Sequence, residues 1–242
     1  ILIWWFPIPR GYLIKILIAS FIANTLQYSI TYTGLNHIDA SAAVLLVQTE
    51  VPFGVIFAFF MLSEKPTFRA LIGIGIAFIG VYILTGSPNL DGKIFGISLT
   101  ILGSAIWAFG QVIVKPLSKE INPLALVAWL ALFSGPTLIF ISAIIEGDTI
   151  SHLTTAEINH WIIAFYLGFM MQPITYGCFY YVLKNNPLYK VLPIVTMGIP
   201  PTGLLAAIFL LGEKPTSELF IGGTVIIFGV IMILYKNKKE VT

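Results

Sequence analysis

Apolar residues run in long blocks along this chain, and short loops between the blocks hold nearly all of its charges. A bilayer core about 30 Å thick needs an apolar helix of about 20 residues. Blocks at 12–35, 40–62, 70–86, 94–114, 122–145, 161–183, 191–212 and 217–235 therefore predict eight spanning helices. Ile1–Phe6 reads as the end of an earlier helix, broken off by Pro7, Pro9 and Arg10. Two blocks depart from the pattern. Block 40–62 contains Glu50, and block 70–86 is short and carries Gly73, Gly75 and Gly80.

The pattern is stated twice. Leu-Ser-Glu-Lys-Pro-Thr at Leu62–Thr67 returns as Leu-Gly-Glu-Lys-Pro-Thr at Leu211–Thr216. The same offset, without a gap, pairs Pro52 with Pro201, Gly54 with Gly203, Ala58 with Ala207, Gly73 with Gly222 and Gly80 with Gly229. Internal repeats decide the whole fold reading. Each copy is an apolar helix, a charged loop with Lys and Pro, and a glycine-rich apolar helix.

Composition agrees with lipid as the solvent. Hydrophobic residues make up 57% of the chain and charged residues 10%, against about a quarter charged in soluble domains. The net charge of +2 is spread over loops and leaves no footprint for nucleic acid. A single cysteine, Cys178, excludes an internal disulfide and a cysteine-built metal site. No cofactor motif is present, and no Walker A loop, so ATP coupling within this chain is excluded.

Lys and Arg stay on the cytoplasmic side of a membrane. Arg10, Lys15, Lys65, Arg69, Lys115, Lys119, Lys184, Lys190, Lys236, Lys238 and Lys239 fall on one side, leaving only Lys93 and Lys214 of the 13 basic residues on the other. The C-terminus is accordingly expected in the cytoplasm. The helix starting near Ala40 and its copy near Val191 are an odd number of spans apart, so the copies face opposite ways as an inverted repeat. The fold class expected is an all-α polytopic membrane protein, an inverted repeat of five-helix units. The intact protein would have ten helices, with about eight and a stub here. The chain opens on Ile1 rather than methionine and is expected to be part of a longer one.

These residues resemble the drug/metabolite transporters of EamA type. The resemblance rests on Ala40-Ser41-Ala42-Ala43, on Glu64-Lys65 and Glu213-Lys214 with the Gly-rich helices after them, and on Ser104-Ala105-Ile106-Trp107-Ala108 through Lys115. Tyr189-Lys190-Val191-Leu192-Pro193 is similar to the O-acetylserine/cysteine exporter branch. The resemblance implies a first EamA-type repeat at 1–88, lacking its first two helices. A second at 89–242 would carry the cytoplasmic tail. It also implies a multi-pass inner-membrane exporter, often proton-coupled, with a central cavity between its halves.

Candidate site residues follow from polarity at membrane depth. An ionised carboxylate near mid-bilayer costs about 2.5 kcal/mol or more, so Glu50 must face protein or water. It suits carrying a proton or pairing with a substrate ammonium; the alternative is a carboxyl that only ties helices together. Ser20, Asn24, Gln27 and Thr31 share one helical face, as do Thr100, Ser104, Trp107 and Gln111. Gln172, Tyr176 and Tyr180 make a third stripe, flanked by Thr175 and Tyr181. Three such stripes would line a polar cavity, or they hydrogen-bond between helices. Gln48 lies on the side of its helix away from Glu50. Pro52, Pro200 and Pro201 break helices at matching depths. Trp4, Trp5, Trp129 and Trp161 read as interface anchors. His37, His152 and His160 read as solvated at external helix ends, and Lys115 and Lys184 as snorkelling to the cytoplasmic surface.

The function expected is secondary transport of a small polar metabolite such as an amino acid. Drugs and nucleotide-type metabolites remain open as substrates of the same fold. An intramembrane enzyme on a lipid-linked substrate would need a paired nucleophile and base at depth, and a channel would give flux without saturation. Expected partners are a small-molecule substrate and the lipid bilayer, with a homodimer left open.

Overall fold

The computed structural model describes residues 8, 11–87, 90–145, 147, 151 and 154–234. The stub Ile1–Phe6 with Trp4 and Trp5, the Pro7–Arg10 break apart from Ile8, His152 and the tail lysines lie outside the described residues. Eight helices long and apolar enough to cross a membrane are present among them. They are α1 (Leu13–Leu35), α2 (Ala40–Leu62), α3 (Phe68–Thr85), α4 (Ile94–Glu120), α5 (Pro123–Ile145), α6 (Ile158–Asn185), α7 (Leu188–Leu211) and α8 (Ser217–Leu234). The chain is an all-α polytopic membrane protein. Phe60 is 75% exposed and Leu210 81%. Monomeric soluble proteins do not show so much large apolar surface; lipid covers it here.

Helix α4 outruns the expected end at 114. It continues through Lys115 and Pro116 to Glu120, because leaving an apolar block does not itself unwind a helix. Asn122 does end the run: its Oδ1 accepts the N–H of Leu124 at 3.0 Å and caps α5, whose first residue is Pro123. Lys115 does not snorkel. With helix continuing beyond it, the side chain is only 8% exposed.

The helices pack as two compact units, and neither coincides with a sequence copy. Ile1–Ser29 and Ile113–Asn186 form one; Ile30–Val112 and Pro187–Thr242 form the other. Both repeated segments lie in the second unit. Its core includes Leu46, Val51, Val55, Leu84, Leu219 and Ile226.

Within that unit the two glycine-rich helices pair antiparallel. A methyl group on Gly80 would stand 2.6 Å from the Ile226 nitrogen, and one on Gly222 would stand 2.7 Å from the Leu84 nitrogen. Nearer the other end, a methyl on Gly229 would lie 2.6 Å from the Gly73 carbonyl. Glycine is required because backbone meets backbone.

Helices α2 and α7 pair antiparallel too: Gly54 faces Leu192 and Gly203 faces Val44. Each ends in a left-handed residue, Ser63 (φ 54°) and Gly212 (φ 67°). That residue turns the following glutamate across to the other copy. Glu64 accepts hydrogen bonds from the N–H groups of Leu188 (2.9 Å) and Tyr189 (3.2 Å) at the start of α7. Glu213 accepts them from Ala40 (2.9 Å) and Ser41 (2.9 Å) at the start of α2. Helix N-termini carry unsatisfied donors and a positive dipole end, so carboxylates suit both places.

Candidate functional site

The first unit holds a cavity of about 430 Å³ between α1, α5 and α6. Of the predicted site residues, Asn24, Gln172, Tyr176 and Tyr180 line it, together with Tyr28 and Ser134. The polar groups are tied across helices. Asn24 Nδ2 donates to Ser134 Oγ at 3.3 Å, joining α1 to α5. Gln172 Nε2 donates to Tyr28 Oη at 2.8 Å, joining α6 to α1. Tyr176 and Tyr180 pack along α6 with ring centroids 5.8 Å apart and their planes tilted by 53°. Helix α5 contributes the small Ala128, Ala131 and Gly135 beside the larger Leu124, Val127 and Leu130. Thr175 and Tyr181, the flanks of the third stripe, are exposed and point away from this core.

Both α1 and α6 widen to π-helical turns beside the cavity, at Phe21–Leu26 and Tyr166–Met171. Asn24 sits in the first, and Gly168 and Phe169 in the second. Such turns concentrate at functional sites because the extra residue re-aims the side chains around it. Spacing rules built on 3.6 residues per turn do not reveal them. Tyr28, Ser134 and Gly135 were missed for a related reason: none lies on a stripe that hydropathy marks out.

Glu50, Thr31, Ser104, Trp107 and Gln111 belong to the second unit and are not among the cavity's lining residues. There α2 changes from α-helix to a tighter turn at Val47–Thr49, and a new α-helix starts at Glu50. Helix α7 is interrupted at the matching point, Met197–Gly198, and restarts with Pro200 and Pro201 in its first turn. Pro52 lies in the first turn of the restarted α2. Thr49 Oγ1 donates to the Leu46 carbonyl at 2.7 Å, satisfying one group the break frees.

Glu50 is 5% exposed, and no hydrogen bond or ion pair reaches its carboxyl among the described residues. Gln48 and Gln111 are each 1% exposed, and Gln48 Nε2 and Gln111 Oε1 have no partner. Three buried side chains of one unit thus hold unspent hydrogen-bonding capacity. Ser104 differs, since its hydroxyl donates to the Thr100 carbonyl of its own helix at 2.9 Å. Thr31 packs directly against Gly103. Gln27, like Thr31, is 8% exposed, and it sits in the first unit. Ser20 donates to the Leu130 carbonyl at 2.8 Å, a purely interhelical bond. No group of three or more metal-ligating side chains occurs among the described residues.

The model of the EamA-like transporter family matches residues 1–86 and 94–235. The chain belongs to the EamA-like transporter family. It is therefore a membrane transporter, not an enzyme, and the intramembrane-enzyme reading falls. Among curated relatives of this EamA-like chain is a probable amino-acid metabolite efflux pump of Escherichia coli strain K12. It is 27% identical over 218 residues, which are 86% of this chain and 72% of that one. A transporter of Clostridium kluyveri is 27% identical over 230 residues, 93% of this chain and 71% of the relative. The inner membrane transporter YedA of Escherichia coli strain K12 is 22% identical over 208 residues, 84% and 65% of the two chains.

Proposed function

We propose that this EamA-like chain exports small polar metabolites of the amino-acid type across the inner membrane by alternating access, driven by proton entry. The observation that carries the coupling is Glu50, a buried carboxyl without a partner at a helix break. A group so placed can bind and release a proton without dismantling a structural bond. The relatives named as amino-acid metabolite efflux pumps in Escherichia coli and Salmonella typhimurium support the substrate class. O-acetylserine and cysteine are the first compounds to try.

In this reading the protein is an inverted repeat of five-helix units, with residues 1–88 in the first and 89–242 in the second. The antiparallel pairing of α3 with α8 and of α2 with α7 supports that symmetry. The loop lysines and arginines support a cytoplasmic C-terminus. Asn24, Gln27, Thr31, Ser104, Trp107, Gln111, Gln172, Tyr176 and Tyr180 contact the substrate, and the breaks at Pro52 and at Pro200–Pro201 let helices bend between states.

The test uses the full-length protein in inside-out vesicles with labelled amino acids. Saturable uptake that needs a proton gradient and is lost in Glu50→Gln is the expected result. Uptake that stays gradient-dependent in that variant removes Glu50 from the coupling, and absence of any amino-acid uptake removes the substrate class.

A further inference from the structure

The cavity of the first unit has a composition that narrows what can enter it. None of its lining residues is Asp, Glu, Lys, Arg or His. A charged group brought there would lose its water without gaining a counter-ion, which costs several kcal/mol. The polar side chains are all neutral and supply no counter-charge. One amide N–H of Asn24 is engaged with Ser134, and one of Gln172 with Tyr28. Each amide also presents its carbonyl oxygen, Asn24 Oδ1 and Gln172 Oε1. Neither receives a hydrogen bond among the described residues. Each can accept from a guest.

The shape adds a second constraint. Tyr176, Tyr180 and Phe169 supply aromatic surface on α6, while α5 offers Ala131 and Gly135 beside Leu124, Val127 and Leu130. A methyl group built on Gly135 or Gly168 meets nothing within 4 Å, so both glycines border open space. Aromatic side chains bordering the open space at these glycines make a slot for a planar ring. The volume lies within the range of about 300–1,000 Å³ typical of small-molecule sites.

We infer that this cavity binds an uncharged aromatic ring bearing an N–H or O–H donor, and that it rejects charged side chains. The inference rests on the exporter reading in taking that ring to be part of the exported molecule. It narrows the substrate from polar metabolites at large to those carrying a neutral ring, with the carbonyls of Asn24 and Gln172 reading the donor.

The direct test is equilibrium dialysis of labelled indole against the purified full-length protein, scoring the saturable component. Indole is expected to bind at least tenfold more tightly than 1-methylindole, which has the same ring without the donor. Gly135→Leu, which fills the slot from a position with room for a side chain, is expected to weaken indole binding at least tenfold. Gly75→Ala, outside the cavity, should leave it unchanged. Equal binding of the two indoles, or equal displacement of indole by decanol as an acyl-chain mimic, would overturn the inference.

Vesicle uptake separates this result from the exporter reading. Saturable indole binding without uptake of any amino acid would leave the ring site standing and remove export of amino acids. Saturable uptake that glutamate and lysine inhibit as well as tryptophan does would leave export standing and overturn the ring site.

Discussion

Glu213 caps the helix that begins at Ala40, its two carboxylate oxygens each taking one N–H, from Ala40 and Ser41, at 2.9 Å. Glu64 does the same for the helix that begins at Leu188. The two glutamates occupy matching places in the two copies of Glu-Lys-Pro-Thr, so each copy closes the helix start of the other. Helices α2 and α7 run antiparallel, which puts the clasps at opposite ends of the pair. Twenty-odd residues at about 1.5 Å each set the ends some 30 Å apart.

Each clasp is a charge-assisted helix cap, a class whose loss costs about 0.5–2 kcal/mol. Glu64→Ala and Glu213→Ala are each expected to lower stability by about 1–2 kcal/mol, read as a fall in thermal midpoint in detergent. Sites this far apart add within about 0.5 kcal/mol. A double variant no worse than either single one would show that the two ends open together.

Glu213 also sets a pH dependence. Burial alone would raise its carboxyl. The hydrogen bonds from the Ser41 side chain and backbone and from the Ala40 N–H, with the positive charge of Lys93, outweigh that and hold it below the usual carboxylate range. Lys93 itself pairs with Asp39 at 3.0 Å, next to the capped helix start. A carboxyl lowered by folding contributes stability in full above its unfolded value of about 4.3 and loses it as pH falls through the folded value. The stability difference between wild type and Glu213→Gln should therefore be constant from pH 6 to 8 and shrink below about pH 4. A thermal-midpoint series across that range checks it. A difference that grows on acidification would contradict the assignment.

The glycine seam of α3 and α8 should tolerate nothing larger. At Gly80 the nearest atoms to an added methyl are backbone, the Ile226 nitrogen at 2.6 Å and the Gly222 carbonyl at 2.8 Å. Neither can swing aside, so Gly80→Ala must push the helices apart, at about 1–3 kcal/mol or more. Gly75, seen from the same helix, borders open space. There the change to alanine should stabilise by up to about 1 kcal/mol through helix propensity. Yield of folded protein by size-exclusion chromatography separates the two variants.

Ser63 holds a left-handed conformation (φ 54°) that its counterpart Gly212 (φ 67°) holds without a Cβ penalty. Ser63→Gly should stabilise the protein by about 1 kcal/mol and Gly212→Ala should destabilise it by a similar amount. Opposite shifts in thermal midpoint are the expected outcome.

Much of the fold was legible in the residue order. Eight apolar blocks became eight helices, since in hydrocarbon every backbone polar group must bond within its own helix. The duplicated Glu-Lys-Pro-Thr marked the positions of the two glutamate caps, and the spaced glycines of α3 and α8 marked their close approach. The end of α4 was misread, because charge at Lys115 signals the edge of an apolar block and not the end of hydrogen bonding. The candidate site was half legible. Asn24, Gln172, Tyr176 and Tyr180 stood out as polar residues at helical spacing in apolar blocks. Gly135 did not, since a cavity wall made of missing atoms leaves no polar signal.

Local sequence thus determined what is short-range: which segments are helical, which face lipid, where the helices break, and that one acid lies at depth. Tertiary structure alone decided the rest. That Glu213 reaches Ala40 and Glu64 reaches Leu188 depends on antiparallel docking of segments far apart in the chain. That docking comes from backbone-to-backbone packing at glycines, which a linear pattern permits and does not specify. The π turns beside Asn24 and Gln172 are of the same kind. They cost backbone hydrogen-bond geometry that only packing in the folded unit repays, and so the shape of the cavity was written in the fold.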